Sequence, residues 1–380
     1  MYKLAIVTTT RAEYGLLCPF IRRVDEDDEL ELKLIVSGTH LSKKHGYTIN
    51  EIVKDGYSIA REISIMEDGN SPYDISIMMA NAIKKFAEYF RDERPDMLVI
   101  SGDRTEMLAI ACAAMNERIP MAHYSGGEVT EGAIDDSIRH SLTKMSYLHF
   151  TSTEIYRNRV IRLGEDPKRV FNVGALGMEN IMNAPLLSEE GIRQIVKIPL
   201  NMKYAVVTYH PVTLEGGVAR IQTIELCKVM DKRSEFFYLI TKANADVGGD
   251  EVNRIFEIYT MKHPNVRFVD SLGMIRYLSA VKYAAFVLGN SSSGMVEAAI
   301  LGTPTINVGD RQKGRISAET VVNCEPEERK IIEAIQRAEN LPRRGTKIYG
   351  QGDTSKRMLY SLKEMIKHGE INLKKGFYEK

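Results

Sequence analysis

The chain has 380 residues, 44% apolar and 27% charged, and its length exceeds what one hydrophobic core organises, so two domains are expected. Its 51 basic and 51 acidic side chains cancel, so it lacks the basic excess of a general nucleic-acid or membrane-surface binder, although a local anion pocket is compatible with a neutral total. Four scattered cysteines without a CxxC pair offer neither a zinc site nor a disulfide framework, and no apolar stretch reaches the length of a signal-peptide core or a membrane span; a soluble, cytoplasmic protein is expected.

The first apolar run, residues 3–7, predicts a strand, and Thr8, Thr9, Thr10 and Arg11 follow it. Runs at 32–36, 97–101 and 120–123 repeat the pattern, as do 205–208, 237–240, 285–288 and 305–308 in the second half. These runs are near-continuous and not strictly alternating, as expected of strands covered by helices on both faces. Between them lie helical stretches. In 75–91, Ile75, Met78, Met79, Ile83, Phe86 and Phe90 recur at helical spacing; 105–118, 135–145 and 295–301 are further helices. Alternating strands and helices on this scale predict parallel sheets and an α/β fold. Gly174, Gly177, Pro185 and Pro199 punctuate the middle of the chain. We therefore expect domains over 1–180 and 181–365, with 366–380 as a C-terminal tail.

Arg11, Asp103, His210 and the turn from Gly289 follow strands, where open parallel sheets bind their ligands. Two such sheets facing each other would enclose a cleft. Gly289 to Gly294, with Asn290 and three serines, lies between a strand and a helix, where free backbone N–H groups and hydroxyls suit a phosphate; a plain serine cap competes with that reading. Glu297 is out of register for a capping box and could accept bonds from a ribose diol. Asp103, Arg104, Thr105 and Glu106 form a good capping-box sequence, so Asp103 has a structural use as well as a chemical one. Asp135 and Arg139 stand four apart on a helix and could form an exposed pair. Glu128 sits in a glycine-containing loop and His210 before Pro211, while Arg11 suits either a surface cation or a phosphate ligand. Such a mixture of carboxylates, cations and hydroxyls fits proton removal coupled to loss of a phosphate-type leaving group, but does not by itself distinguish this from hydrolysis or glycosyl transfer.

The wording of these motifs is more specific. Thr10-Arg11-Ala12-Glu13-Tyr14-Gly15, Gly102-Asp103-Arg104, and Gly126-Gly127-Glu128 followed by Asp135-Asp136-Ser137-Ile138-Arg139-His140-Ser141 resemble motifs of the hydrolysing UDP-N-acetylglucosamine 2-epimerases. His210-Pro211-Val212-Thr213, Gly289-Asn290-Ser291-Ser292 and the run from Gly309 to Arg315 complete the series in the family's order. The resemblance implies two Rossmann-like domains facing a central cleft (the GT-B architecture) and a homodimer or homotetramer. It implies a UDP-amino sugar substrate, no metal and no redox cofactor. The implied reaction removes the C2 proton with anti elimination of UDP, then hydrates the 2-acetamidoglycal to release N-acetylmannosamine or a related sugar. Asp103, Glu128 and Asp135 become acid/base candidates. Arg139 and His210 would stabilise or protonate the leaving diphosphate, while Arg11, Ser291, Ser292 and Glu297 would hold UDP. Many relatives carry glutamate where Ser125 stands; either Glu128 performs that task or the carboxylate roles are redistributed, and the same change bears on substrate choice, with a UDP-linked diacetamido trideoxy sugar as the alternative. Other readings are a non-hydrolysing epimerase, a glycosyltransferase and a UDP-sugar-binding protein without turnover.

Overall fold

The alternation of strands and helices resolves into two all-parallel sheets. The computed structural model describes all residues except 44–45, 68–70, 130–133, 212–217, 244–248, 370, 372 and 380. One sheet contains β1 (Tyr2–Thr8), β2 (Leu30–Ser37), β3 (Ile59–Ile63), β4 (Met97–Ser101), β5 (Met121–Tyr124), β6 (Leu148–Thr151) and β7 (Val170–Asn172), in the order β3-β2-β1-β4-β5-β6-β7. The other contains β8 (Lys203–Thr208), β9 (Phe236–Thr241), β10 (Val266–Val269), β11 (Phe286–Gly289), β12 (Thr305–Val308) and β13 (Val321–Cys324), in the order β10-β9-β8-β11-β12-β13. Both orders are doubly wound. Strand order reverses between β1 and β4 in one sheet and between β8 and β11 in the other.

Burial on two faces explains the continuous apolar runs. In β1, Leu4 and Ile6 join a core with Leu17, Phe20, Ile21 and Val24 of helix Arg11–Asp25. Ala5 and Val7 point the other way, into a core with Phe86 and Phe90 of helix Pro72–Glu93. β9 divides likewise, with Phe236, Tyr238 and Ile240 on one face and Phe237 and Leu239 on the other. Each such side chain contributes about 1.5–3 kcal/mol on burial, so a one-residue slip that exchanged the two sets would be costly.

The chain divides into one unit of Met1–Asn180 with Tyr349–Lys380 and a second of Ile181–Ile348. The expected 181–365 domain and separate 366–380 tail differ from this division, because the last segment packs with the first unit. Helix Thr354–Lys367 buries Met358, Leu362 and Met365 in the core shared with helix Arg11–Asp25. Its start is capped by Glu179, whose carboxylate accepts the Ser355 N–H and hydroxyl at 2.6 Å each, while Arg23 Nε donates to that hydroxyl oxygen at 2.6 Å. Further on, Lys375 Nζ lies 3.0 Å from both oxygens of buried Glu165, which also accepts Lys144 at 2.6 Å and His149 Nε2 at 3.0 Å. Burial alone would raise the Glu165 carboxyl; the donors around it prevail and hold it at about 2. Among the described residues, no helix is long and apolar enough to cross a membrane.

Removing residues 349–380 should therefore raise amide hydrogen exchange across Arg11–Asp25 while leaving β8 and β9 protected; an unchanged helix would contradict this packing. Glu165 gives a separate pH expectation. A carboxylate lowered from 4.5 contributes stability that is complete above that value and disappears as pH falls towards 2. Glu165→Gln should lower stability at pH 7 and flatten its decline across that acid window, as read by chemical denaturation.

Candidate active site

In the first unit, β1 and β4 are neighbours and end in the turns that carry Thr9 and Asp103. Asp103 is not used as a helix cap. Arg104 takes the N-cap position of helix Thr105–Asn116 without a side-chain cap bond, and the Asp103 carboxylate pairs with Arg139. Glu106 accepts Arg104 Nε at 2.6 Å and lies 3.1 Å from the Thr9 hydroxyl.

Arg139 organises the surrounding acids. Its side chain is 4% exposed, so it is no surface cation. One guanidinium nitrogen donates to the Glu128 carbonyl oxygen at 3.0 Å and to Asp136 at 3.2 Å. The helical partner of Arg139 is thus Asp136, three residues back, whereas Asp135 lies half-buried in the first turn of helix Ile134–Met145 and makes none of these bonds. The Glu128 side chain accepts the Ser152 hydroxyl at 3.2 Å, from just beyond β6. Asp103, Glu128 and Arg139 are therefore held together. Arg11 instead begins helix Arg11–Asp25, 71% exposed, and pairs with Glu51 at 3.0 Å.

The loop bearing Glu128 is tightly constrained. His123, at 2.9 Å, donates through Nε2 to the Gly102 carbonyl, and its other nitrogen lies 3.2 Å from the Thr143 hydroxyl. Burial pushes this imidazole down to about 3, so it is a neutral support for the Asp103 turn. Ser125 adopts φ +71°, with its N–H donating to the Phe150 carbonyl at 3.1 Å. At Gly127, φ is +81° and an added Cβ would lie 2.4 Å from the Tyr156 carbonyl oxygen. Only glycine lets this loop pass so close to helix Glu154–Arg162.

Two buried acids were missed from the sequence. Glu13 accepts the Thr9 N–H at 2.7 Å and approaches the Thr9 hydroxyl at 3.0 Å. Burial pushes its carboxyl up to about 7, against the lowering effect of those Thr9 bonds. The Thr10-x-x-Glu13 spacing is the signal that could have found it: Thr10 caps the helix by accepting the Glu13 N–H at 3.2 Å. The other acid is Glu106, already placed beneath Thr9.

In the second unit, the ends of β8 and β11 are joined by Asn290. Its side-chain oxygen accepts the His210 N–H at 2.7 Å, and its amide donates to the His210 carbonyl at 2.7 Å. The Asn290 carbonyl in turn accepts Gln312 at 2.9 Å and Arg311 at 3.1 Å. His210 is buried by this arrangement. Gly289 permits it, since with φ +140° an added Cβ would lie 1.9 Å from the Thr208 carbonyl oxygen. The expected 295–301 helix is two short pieces, Ser292–Met295 and Glu297–Leu301, meeting at Val296. Ser291 caps the first through the Ser293 N–H at 3.3 Å, with Ser292 next to it, and the Ser293 hydroxyl donates to Tyr277 at 2.7 Å. Burial pushes the Glu297 carboxyl up, opposed by a hydrogen bond from its own backbone N–H and by Arg315. His210, Ser291, Ser292 and Glu297 thus all follow the central strand pair of this sheet. Val212 and Thr213, which complete the histidine motif, lie outside the described residues.

Two doubly wound sheets with polar clusters at both strand-order reversals define a two-domain, Rossmann-like α/β enzyme of the GT-B fold class. The chain belongs to the UDP-N-acetylglucosamine 2-epimerase family, whose model matches residues 22–363. It is 40% identical over 324 residues to the GDP/UDP-N,N'-diacetylbacillosamine 2-epimerase (hydrolyzing) of Campylobacter jejuni, covering 85% of this chain and 84% of the relative. Over 370 residues it is 32% identical to the UDP-N,N'-diacetylbacillosamine 2-epimerase (hydrolyzing) of Legionella pneumophila, covering 97% of each. The crystal structure of the Neisseria meningitidis UDP-GlcNAc 2-epimerase bound to UDP-GlcNAc shares its fold, with a TM-score of 0.75 at 18% identity over 95% of this chain and 100% of that one.

Gly127→Ala should cost about 2 kcal/mol or more in urea unfolding, because it combines positive-φ strain with the carbonyl clash. Gly177→Ala is the contrasting substitution. That glycine lies in helix Leu176–Asn183 with no foreign atom nearer than 3.7 Å to an added Cβ, so it should be neutral or stabilising by up to about 1 kcal/mol. Equal losses in both variants would refute the close-approach explanation.

Proposed function

We propose that this chain is a hydrolysing 2-epimerase of a UDP-linked 2-acetamido sugar. The observation that carries the reading is Arg139, buried against Asp103 after β4 and fixed to the loop bearing Glu128. This arrangement supplies carboxylates for proton transfer beside a cation that can answer charge developing on a leaving group. A carboxylate base takes the C2 proton, the C–H electron pair forms the C1=C2 bond, and the C1–O bond to UDP breaks. Water then adds at C1 while C2 receives a proton on the opposite face, giving the epimeric free sugar.

Asp103, Glu128 and Asp135 are the acid/base candidates in this scheme. Arg139 and His210 stabilise or protonate the departing diphosphate. Arg11 and the hydroxyls of Ser291 and Ser292 engage UDP phosphate oxygens, and Glu297 accepts the ribose hydroxyls. The two relatives with diacetylbacillosamine in their names favour the diacetamido trideoxy sugar over UDP-N-acetylglucosamine as substrate.

NMR of the reaction in deuterated water, run with each UDP-sugar, tests the proposal. UDP and a free manno-configured sugar carrying deuterium at C2 are expected, with faster turnover of the diacetamido substrate. UDP release without C2 exchange would defeat the mechanism, and an intact UDP-linked epimer would indicate a non-hydrolysing enzyme. Asp103→Asn should reduce turnover by about 100-fold or more while UDP affinity stays within a few-fold, measured by calorimetry.

A further inference from the structure

The hydrogen bonds around Thr9 pose a proton-counting problem. Glu13 Oε2 lies 3.0 Å and Glu106 Oε1 3.1 Å from the same Thr9 hydroxyl oxygen. That hydroxyl has one hydrogen, so it cannot donate to both carboxylates. Glu106 also accepts Arg104 Nε at 2.6 Å, a charge-assisted bond. The hydroxyl group of Thr39 and its N–H both donate to the Thr9 carbonyl, so neither reaches the acids from there. Glu13 and Glu106 are 9% and 4% exposed, and bulk water cannot readily replace the missing donor.

We infer that Glu13 is held as a neutral carboxylic acid, completing the chain Glu13–OH to Thr9–OH to the Glu106 carboxylate to Arg104, and that it thereby acts as a positioning residue for Asp103. In this arrangement each oxygen contact contains one proton, and the excess negative charge of two buried acids over one guanidinium is removed. Arg104 is the residue after Asp103, so the chain ties the end of β1 to the turn that presents Asp103. The groups facing Glu13 are Thr9, Glu106 and Arg104, and burial pushes its carboxyl up to about 7. Ionisation in the neutral range would leave one contact without its proton and place a second negative charge beneath the turn. The role in turnover rests on the epimerase reading above; the protonation state does not.

Glutamine is the informative replacement, because it keeps the side chain uncharged and nearly isosteric; the Thr9 N–H and hydroxyl both meet Oε2, so the amide serves one of them at a time, through its oxygen or its NH2. Wild type, Glu13→Gln and Glu13→Ala should be compared in melting temperature and in kcat/KM from pH 5.5 to 8.5. An acid whose pKa is raised on folding loses stability as pH climbs from its unfolded to its folded value, so the melting temperature of Glu13→Gln should gain on wild type between pH 5.5 and 8. In the kinetic profile, Glu13→Gln should remain within about threefold of wild type at pH 6.5 and lack the decline near pH 7. Glu13→Ala should lose about tenfold or more, mainly in kcat. A pH-independent gap in melting temperature would overturn the neutral acid, whether or not either sugar is turned over. A glutamine variant as inactive as alanine, with the expected melting behaviour, would overturn the positioning role. Absence of turnover in wild type would count against the epimerase reading and leave the melting comparison decisive for Glu13.

Discussion

The reversal of strand order at the middle of each sheet is the constraint from which the rest follows. After β1 the chain enters helix Arg11–Asp25, which packs on the face holding Leu4 and Ile6. After β4 it enters helix Thr105–Asn116, which packs on the face holding Ala5 and Val7. The two chains therefore part immediately beyond their strands. In the second sheet, helix Val218–Lys232 packs with Ala205 and Val207, whereas Ala298 of Glu297–Leu301 packs with Tyr204 and Val206. Divergent helices cannot cover the strand ends between them, so those backbone groups must find side-chain partners or a ligand. The first unit supplies Glu13 to the Thr9 N–H, and the second supplies Asn290 to both backbone groups of His210.

These supporting side chains use charge in different ways. Asn290 bonds to His210 without carrying charge into the interior. Three acids of the first unit that carry a desolvation penalty are matched to donors: Glu179 to Ser355, Glu165 to two lysines and a histidine, and Asp103 to Arg139. Helix Ile134–Met145 is restrained at both ends by this matching. Arg139 fixes its first half to Asp103 and the Glu128 carbonyl, while Lys144 fixes its last turn to Glu165. Glu165 also takes Lys375, so the C-terminal tail reinforces the position of the helix that carries Arg139.

The central strands were legible because burial on both faces writes an uninterrupted apolar run. β3, β7, β10 and β13 were not, and each is a sheet edge. Their partly exposed residues, such as Ala60, Arg61 and Glu62 in β3 or Arg267 in β10, interrupt the hydrophobic signal. β6 is internal yet was also missed, since its four residues include His149, needed by Glu165. At the site, the strand-end rule located Asp103 and His210, but local spacing misled twice. Asp103 looked like a cap and Asp135 like the partner of Arg139, whereas contacts between elements pair Asp103 and Asp136 with that guanidinium. Glu13 shows the converse: Thr10 caps it locally, but its burial depends on Thr9 and Glu106, which sequence distance concealed.

A neutral net charge gave no hint of how charge is distributed between these clusters. Around β1 and β4, the arginines are already engaged: Arg139 by Asp103 and Asp136, and Arg104 by Glu106. In that neighbourhood each guanidinium is matched to carboxylates, which limits how far either charge is felt beyond the pair. The ends of β8 and β11 differ, since His210, Arg311 and Arg315 gather there around serine hydroxyls and the start of a short helix. Proton transfer and anion release place opposite demands on local potential. A base surrounded by free cations loses basicity, and a leaving group surrounded by carboxylates gains no stabilisation. The carboxylates at the ends of β1 and β4 and the arginines near the ends of β8 and β11 thus give the two sheets different local potentials, and Arg139, neutralised by its acids, sits among the carboxylates of the first.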